Sequence, residues 1–147
     1  MDEKDWLLLN SLQNDARLPF AELARRAGMS APSATERVRR LEDEGVITGY
    51  YAKVDPAKLG RPLEVFIRLS VLNKDYPRFR RFLAGAEEIV ECHHVSGEEA
   101  FMLRAAVASV KDLEDLIRRL SGYGQTATSL ILSTFLDRRV WVSGKRP

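Results

Sequence analysis

Gly28-Met29-Ser30-Ala31-Pro32-Ser33-Ala34-Thr35-Glu36-Arg37-Val38-Arg39-Arg40-Leu41 is the stretch on which the fold turns. A glycine able to adopt a left-handed backbone ends whatever precedes it. Ser30 offers its hydroxyl to an otherwise unpaired amide of a new helix, and Pro32 falls in the first turn, where a missing N–H costs nothing. Ala34, Val38 and Leu41 then recur at i, i+4 and i+7. This predicts a helix from about Ser30 to Glu44, with an apolar stripe inward and Ser33, Thr35, Glu36, Arg37, Arg39 and Arg40 largely outward. Gly45 closes it.

Upstream, Leu18-Pro19 restarts the chain, and Leu23, Ala24 and Ala27 mark a short helix that stops at Gly28. Before that, Leu8, Leu9 and Leu12 give an apolar stripe from about Lys4 to Asp15. Downstream, Val46-Ile47 and Tyr51–Val54 read as two short strands around Thr48-Gly49, a small wing. Two short helices meeting at Gly28-Met29-Ser30, the second apolar inside and basic outside, form a helix–turn–helix able to lay a rigid rod in the major groove of duplex DNA. Charge agrees. Residues 17–40 hold six arginines against two glutamates, a local +4 inside a chain of net charge +2. Such a patch suits a directed phosphate contact better than general polycation binding. Ser30, Pro32, Ser33, Thr35, Arg37, Arg39 and Arg40 are therefore the expected DNA-binding residues, the arginines for phosphate or guanine and the hydroxyls for base edges or backbone. Glu36, which DNA would repel, is expected to pair with Arg40 one turn on.

Asp55-Pro56-Ala57-Lys58-Leu59-Gly60-Arg61-Pro62 packs two prolines and a glycine into eight residues and reads as a linker. It separates a domain at 1–54 from another at 63–147. Beyond it, Val65, Ile67, Leu69 and Val71 alternate with Glu64, Phe66, Arg68 and Ser70, the period of a strand. Tyr76, Phe79, Phe82 and Leu83 follow at helical spacing. Ile89–Ser96 and Ala100–Val107 predict a hairpin around Gly97-Glu98-Glu99. Ser109 opens a helix carrying Leu113, Leu116, Ile117 and Leu120, and Thr126–Thr134 predicts a last long strand. Strand–helix–strand–strand–helix–strand is the ferredoxin-like order, an antiparallel sheet with both helices on one face. Phe66, Leu72 and Met102 alternate toward the other face, so a sheet-on-sheet oligomer is expected. Val140-Trp141-Val142 is a candidate edge strand. The fold class is α+β, a winged helix–turn–helix followed by a βαββαβ domain.

With 45% apolar and 30% charged residues the 147-residue chain is that of an ordinary globular protein. Its apolar runs, such as Trp6–Leu9 and Leu130–Leu132, are a few residues long and fall far short of the ~20 residues that cross a bilayer. The charged start, Met1-Asp2-Glu3-Lys4-Asp5, lacks the layout of a signal peptide, so a cytoplasmic location is expected. Cys92, His93 and His94 invite a metal reading, but adjacent strand residues point to opposite faces, and no metal or cofactor is expected.

Several motifs make the resemblance specific. Asn14-Asp15-Ala16-Arg17, Glu22-Leu23-Ala24, Gly28-Met29-Ser30, Glu36-Arg37-Val38-Arg39-Arg40-Leu41-Glu42, Gly45-Val46-Ile47 and Gly49-Tyr50 resemble the N-terminal half of Lrp/AsnC regulators. Glu91-Cys92-His93 with Val95-Ser96-Gly97, and Gly122 with Thr126 and Thr128, resemble the second half of that family, whose ligand domain is of the RAM type. The resemblance implies a transcription regulator with a C-terminal domain that forms a homodimer, assembles to tetramers or octamers, and binds amino acids or related metabolites between dimers. The implied effector-binding residues are Ser96, Gly97, Glu98, Glu99, Ala100, Thr126 and Thr128. Where the family shows an acidic residue, an aromatic and a second Asp, this chain has Glu98-Glu99-Ala100-Phe101, with Ala100 at the second carboxylate's place. That departure bears on any ligand ammonium, which wants an anionic or carbonyl partner once desolvated. Two other readings carry different expectations. One is a sirohaem decarboxylase of similar layout, drafting His93, His94 and Arg104; the other is a sensing or assembly module without DNA binding.

Overall fold

The computed structural model describes residues 1–97 and 100–143. Three helices come first: α1 (Glu3–Asn14), α2 (Phe20–Ala27) and α3 (Ala31–Asp43). Asp2 starts α1 with a reciprocal capping box, its side chain accepting from the Asp5 amide while the Asp5 carboxylate accepts from the Asp2 amide, both at 2.9 Å. Gly28 ends α2 at φ 60°, a left-handed conformation that a side chain would strain. Leu8, Leu23, Ala24, Ala27, Ala34 and Val38 pack together, with Leu12, Leu18, Met29 and Ile47 around them. This core is small and alanine-rich.

The expected wing strands are not formed among the described residues: Val46-Ile47 and Tyr51–Val54 carry no ladder. The amides of Val46 and Ile47 instead donate to the Leu41 carbonyl at 2.9 and 3.0 Å, satisfying the end of α3, and the Tyr50 hydroxyl donates to Glu42 at 2.7 Å. With these amides turned back onto the helix, Tyr51 and Val54 are left largely exposed. The candidate edge strand at Val140–Val142 is likewise absent. There the Trp141 amide and carbonyl are taken up by one side chain, Gln13, whose Oε1 accepts at 2.8 Å and whose Nε2 donates at 2.9 Å. Arg138 also donates to the Gln13 carbonyl. One compact unit accordingly comprises Met1–Ala52 together with the chain from Leu136 onward; the other is Lys53–Phe135.

In the second unit β1 (Leu63–Leu69), β2 (Ile89–His94), β3 (Phe101–Val107) and β4 (Thr126–Leu130) form one sheet ordered β2-β3-β1-β4, antiparallel throughout, with α4 (Tyr76–Gly85) and α5 (Val110–Ser121) as crossovers. This is the ferredoxin-like arrangement. Val65, Ile67, Leu69, Leu103, Ala105 and Val107 alternate onto the face packed with Phe79, Leu116 and Leu120. Phe66, Arg68, Met102 and Arg104 share the opposite face through the register Phe66↔Arg104 and Arg68↔Met102. Leu72 lies beyond β1 and is 63% exposed, so it is not part of that face. The expected last strand, Thr126–Thr134, stops at Leu130 because β1 runs out: Leu130 pairs with Val65 and the Ile131 amide makes the final rung to the Glu64 carbonyl at 2.9 Å. No helix is long and apolar enough to cross a membrane among the described residues.

Candidate nucleic-acid interface and effector region

The interface is built on α3. Ser30 accepts from the Ser33 amide at 3.3 Å and exchanges a hydroxyl hydrogen bond with Ser33 at 2.9 Å, so the two serines meet at the start of the helix. Pro32 occupies the first turn and is exposed. Ala34, Val38 and Leu41 are at most 1% exposed, which turns Pro32, Glu36, Arg39 and Asp43 to the opposite side of the rod. Thr35 is exposed, but its hydroxyl donates to the Ala31 carbonyl at 3.0 Å. Arg39 is exposed and makes no ion pair among the described residues. A shallow recess along the helix is lined by Ser33, Glu36, Arg37, Arg39, Arg40 and Asp43.

Arg37 and Arg40 turn toward α1. Arg37 Nη1 lies 2.7 Å from an Asp2 oxygen and 2.8 Å from Asp5, and Arg40 Nη2 lies 3.0 Å from both Asp5 oxygens. Asp5 is 1% exposed. The expected Glu36–Arg40 pair is thus displaced: the nearest carboxylate to Arg40 belongs to another helix, and its own-helix partner is Glu44 at 3.8 Å. The Asp5 amide and then the Arg37 guanidinium hold the Asp2 carboxyl down at about 2, and Asp2 and then Asp5 raise Arg37. On α2, Arg25 and Arg26 both bind Glu22 and lower it to about 2. Asp2 and Asp5 are partners of the basic face that the arginine pattern alone does not reveal. A signal for Asp5 does lie in the sequence: it falls on the stripe of Leu8, Leu9 and Leu12, an inward position for a charge.

The effector residues are only partly brought together. Ser96 and Gly97 are exposed in the β2–β3 turn, Gly97 with φ 114°, and the Val95 amide donates to the Ala100 carbonyl at 2.8 Å. Glu98 and Glu99 lie outside the described residues. Thr126 and Thr128 pair with Leu69 and Ile67. Because Leu69 also pairs with Phe101, Thr126 stands at the same end of the sheet as this turn but two strand spacings away, roughly 10 Å. Next to the turn, His94 stacks on Phe101 with ring centroids 4.9 Å apart and its Nε2 lies 3.3 Å from the Tyr76 hydroxyl. Cys92 and His94 register with Leu103 and Phe101 on the helix side of β3, and His93 with Met102 on the open side. No group of three or more potential metal ligands converges among the described residues. Arg104 is spanned by Glu64 at 2.6 Å and Glu91 at 2.8 Å, with Glu64 the stronger influence raising it.

Comparison with known proteins accounts for both units. Residues 1–42 match the AsnC-type helix-turn-helix domain and residues 64–141 the Lrp/AsnC ligand binding domain. The HTH-type transcriptional regulator LrpC of Bacillus subtilis is 38% identical over 133 residues, covering 90% of this chain and 92% of that one. The leucine-responsive regulatory protein of Escherichia coli is 37% identical over 90% of this chain and 85% of its own. Among solved structures, B. subtilis LrpC superposes with TM-score 0.87 at 37% identity over 92% of this chain and 96% of that one. A feast or famine regulatory protein of Mycobacterium tuberculosis complexed with L-methionine gives 0.87 at 36% identity over 97% and 99%. A helix–turn–helix with a basic rod, a ferredoxin-like sheet unit and these matches across most of the sequence lead to one conclusion: the chain belongs to the Lrp/AsnC family of transcriptional regulators.

Proposed function

We propose that the chain binds duplex DNA sequence-specifically through α3, within a DNA-binding domain at 1–54, and that a domain at 63–147, joined through 55–62, self-associates and senses an amino acid or related metabolite. The observation that carries the DNA reading is the division of α3 into a stripe buried through Ala34, Val38 and Leu41 and an opposite side presenting Pro32, Glu36 and Arg39, with Ser30 and Ser33 at its start. A helix N-terminus with exposed hydroxyls and a free guanidinium meets base edges and phosphates in the major groove. The test is binding of the purified chain to a pool of genomic fragments, repeated with Arg39→Ala. Loss of one phosphate contact makes the dependence of log K on log salt shallower by ~0.9. Indifference of the wild-type chain to every duplex at low salt would point to a sensing or assembly module without DNA binding.

Self-association rests on the open sheet face, where Phe66 is 43% exposed beside Arg104 and Met102. A homodimer places two copies of α3 on half-sites of a near-palindromic operator, and further assembly to tetramers or octamers extends the span. A strictly monomeric elution in gel filtration would end this reading. For the effector, support comes from the L-methionine complex of the M. tuberculosis relative. A thermal-shift screen of amino acids tests it, since a ligand of the folded state raises the melting point. With Ala100 in place of a carboxylate, Glu98 and Glu99 are the remaining anions of that turn for a ligand ammonium. Arg104, already neutralised by Glu64 and Glu91, is poorly available to the carboxylates of a tetrapyrrole, which favours a non-enzymatic role. The cytoplasm is the compartment such a function requires.

A further inference from the structure

We propose that Asp5 is a positioning residue for DNA reading: its buried carboxylate holds the guanidinium groups of Arg37 and Arg40 back from the duplex, leaving Arg39 to meet it. The proposal rests on α3 being the DNA-reading helix. Three donors make four hydrogen bonds to Asp5: the Asp2 amide at 2.9 Å, Arg37 at 2.8 Å and Arg40 at 3.0 Å to each oxygen, and the residue is only 1% exposed. Asp2 closes the clamp from outside at 2.7 Å to Arg37.

A carboxylate and a DNA phosphate compete for the same N–H groups of an arginine, since each offers paired oxygens to one planar donor. An arginine that leaves Asp5 for a phosphate leaves behind a carboxylate that water does not reach, and a buried charge stripped of its partner is strongly unfavourable. The exchange is therefore opposed. Three arginines within four residues would otherwise give α3 a sequence-independent attraction for any duplex, because each neutralised phosphate releases counterions whatever the bases. Holding two of the three in reserve lowers that background and leaves the choice of site to Arg39 and the hydroxyls of Ser30 and Ser33. Asp5 acts on selectivity through Arg37 and Arg40, without touching DNA.

The experiment uses the full chain, one duplex selected from the genomic pool and one random-sequence duplex of equal length, titrated from 50 to 200 mM salt. The variants are Asp5→Asn and the double variant Asp2→Asn with Asp5→Asn, with helical circular dichroism to establish folding. Asp5→Asn is expected to tighten binding to the random duplex, steepen the salt slope by ~0.9, and shrink the preference for the selected duplex. The double variant should steepen it by ~1.8, equivalent to about 12-fold more affinity lost across that salt range. A purely structural role predicts the reverse, weaker binding to both duplexes in equal proportion with no steepening, and that result overturns the proposal. If the variants do not fold, Arg37→Gln and Arg40→Gln in the wild-type background decide: slopes unchanged support the clamp, and slopes shallower by ~0.9 each overturn it. Arg39→Ala separates this from the reading beneath. Wild-type binding that Arg39→Ala weakens, with Asp5 variants showing no steepening, sinks the clamp alone; no binding to any duplex by the wild type sinks both.

Discussion

In the sheet unit every side chain buried below the surface is apolar among the described residues, from Val65 and Ile67 to Phe79, Leu103 and Leu116. In the helical unit the most hidden positions include a carboxylate, Asp5, beside Leu8, Leu23 and Val38, and the other buried polar residue, Ser11, is there too. The two units meet the same entropic cost of folding by different means. The sheet unit supplies large apolar side chains and an antiparallel ladder. The helical unit, with alanines at Ala24, Ala27 and Ala34 where the sheet unit has leucine and phenylalanine, adds caps and ion pairs that run from α1 to α3. A unit whose outer surface must stay polar and basic for DNA has little apolar surface to bury, so charge supplements packing.

The largest effect that separates the units comes from Gly124. A Cβ there would sit 1.6 Å from the Ser70 carbonyl oxygen, where the end of β1 meets the start of β4 through the Ser70 amide and the Gln125 carbonyl. Because backbone and not a side-chain end must give way, Gly124→Ala is expected to destabilise the sheet unit by about 4 kcal/mol or more. Both tryptophans, Trp6 and Trp141, belong to the helical unit, as do Tyr50 and Tyr51; in a background with Tyr50→Phe and Tyr51→Phe, tryptophan fluorescence should keep its own melting transition while the tyrosine signal, then due to Tyr76 and Tyr123 alone, melts early. A single shared transition would dissolve the distinction between the units.

Asp5→Ala is the counterpart in the helical unit. It strands two half-exposed arginines, each of which keeps a second carboxylate, so about 2 kcal/mol is expected rather than the full penalty of a broken buried pair. Here the tryptophan transition should move and the tyrosine transition stay.

The fold was legible where local chemistry decides it. Gly28, Ser30 and Pro32 announce the turn into α3 because their roles are settled within a few residues, and the alternation from Val65 to Val71 announces β1 because one face is buried. What escaped depends on partners distant in sequence. Val46, Ile47 and Val140–Val142 have strand composition, yet a strand needs a second chain segment, and the Leu41 carbonyl and the Gln13 amide take those backbone groups first. Thr126–Thr134 ended early for a similar reason, since β1 offers no rung beyond Glu64. In the site, the basic outer face of α3 was readable, but the destination of each arginine was not. Arg37, Arg39 and Arg40 look alike in sequence, and only the position of Asp5 three decades of residues away distinguishes them. The effector turn is the least legible part, as Thr126 and Ser96 approach one another only through the order of strands.

Acid sharpens the comparison further. Asp2 and Glu22, both in the helical unit, are each held down at about 2 by the amide and guanidinium groups around them. Their folded values lie below their unfolded ones, so the stabilisation they bring is complete above pH ~4 to 4.5 and is lost as pH falls toward 2. Asp2 is exposed and Glu22 partly so, which keeps the effect modest and sensitive to salt. The tryptophan transition should therefore fall in temperature between pH 4.5 and 2 more than the tyrosine transition does, and added salt should narrow that gap. Equal acid sensitivity of both transitions would assign the loss to general charge repulsion and not to these pairs.

The smallest effects come from two serines with one job. Ser30 starts α3 and Ser109 starts α5, each accepting the amide three residues on, from Ser33 at 3.3 Å and from Asp112 at 3.2 Å. Replacing either by alanine should cost about 1 kcal/mol in its own unit, read from the matching fluorescence transition. The two differ in what else the hydroxyl meets. Ser109 donates to the Asp112 carboxylate at 2.6 Å, a bond internal to its own helix start, whereas Ser30 shares its hydroxyl with Ser33 on the surface assigned to DNA. Ser109→Ala should thus leave duplex binding where it was. Ser30→Ala should also weaken the selected duplex by several-fold, because the exposed Ser33 hydroxyl loses the partner that orients it. Ser30→Gly, which preserves helix stability within a few tenths of a kcal/mol, isolates that second effect: if the selected duplex binds Ser30→Gly as tightly as wild type, Ser30 serves the helix alone and the two caps are equivalent.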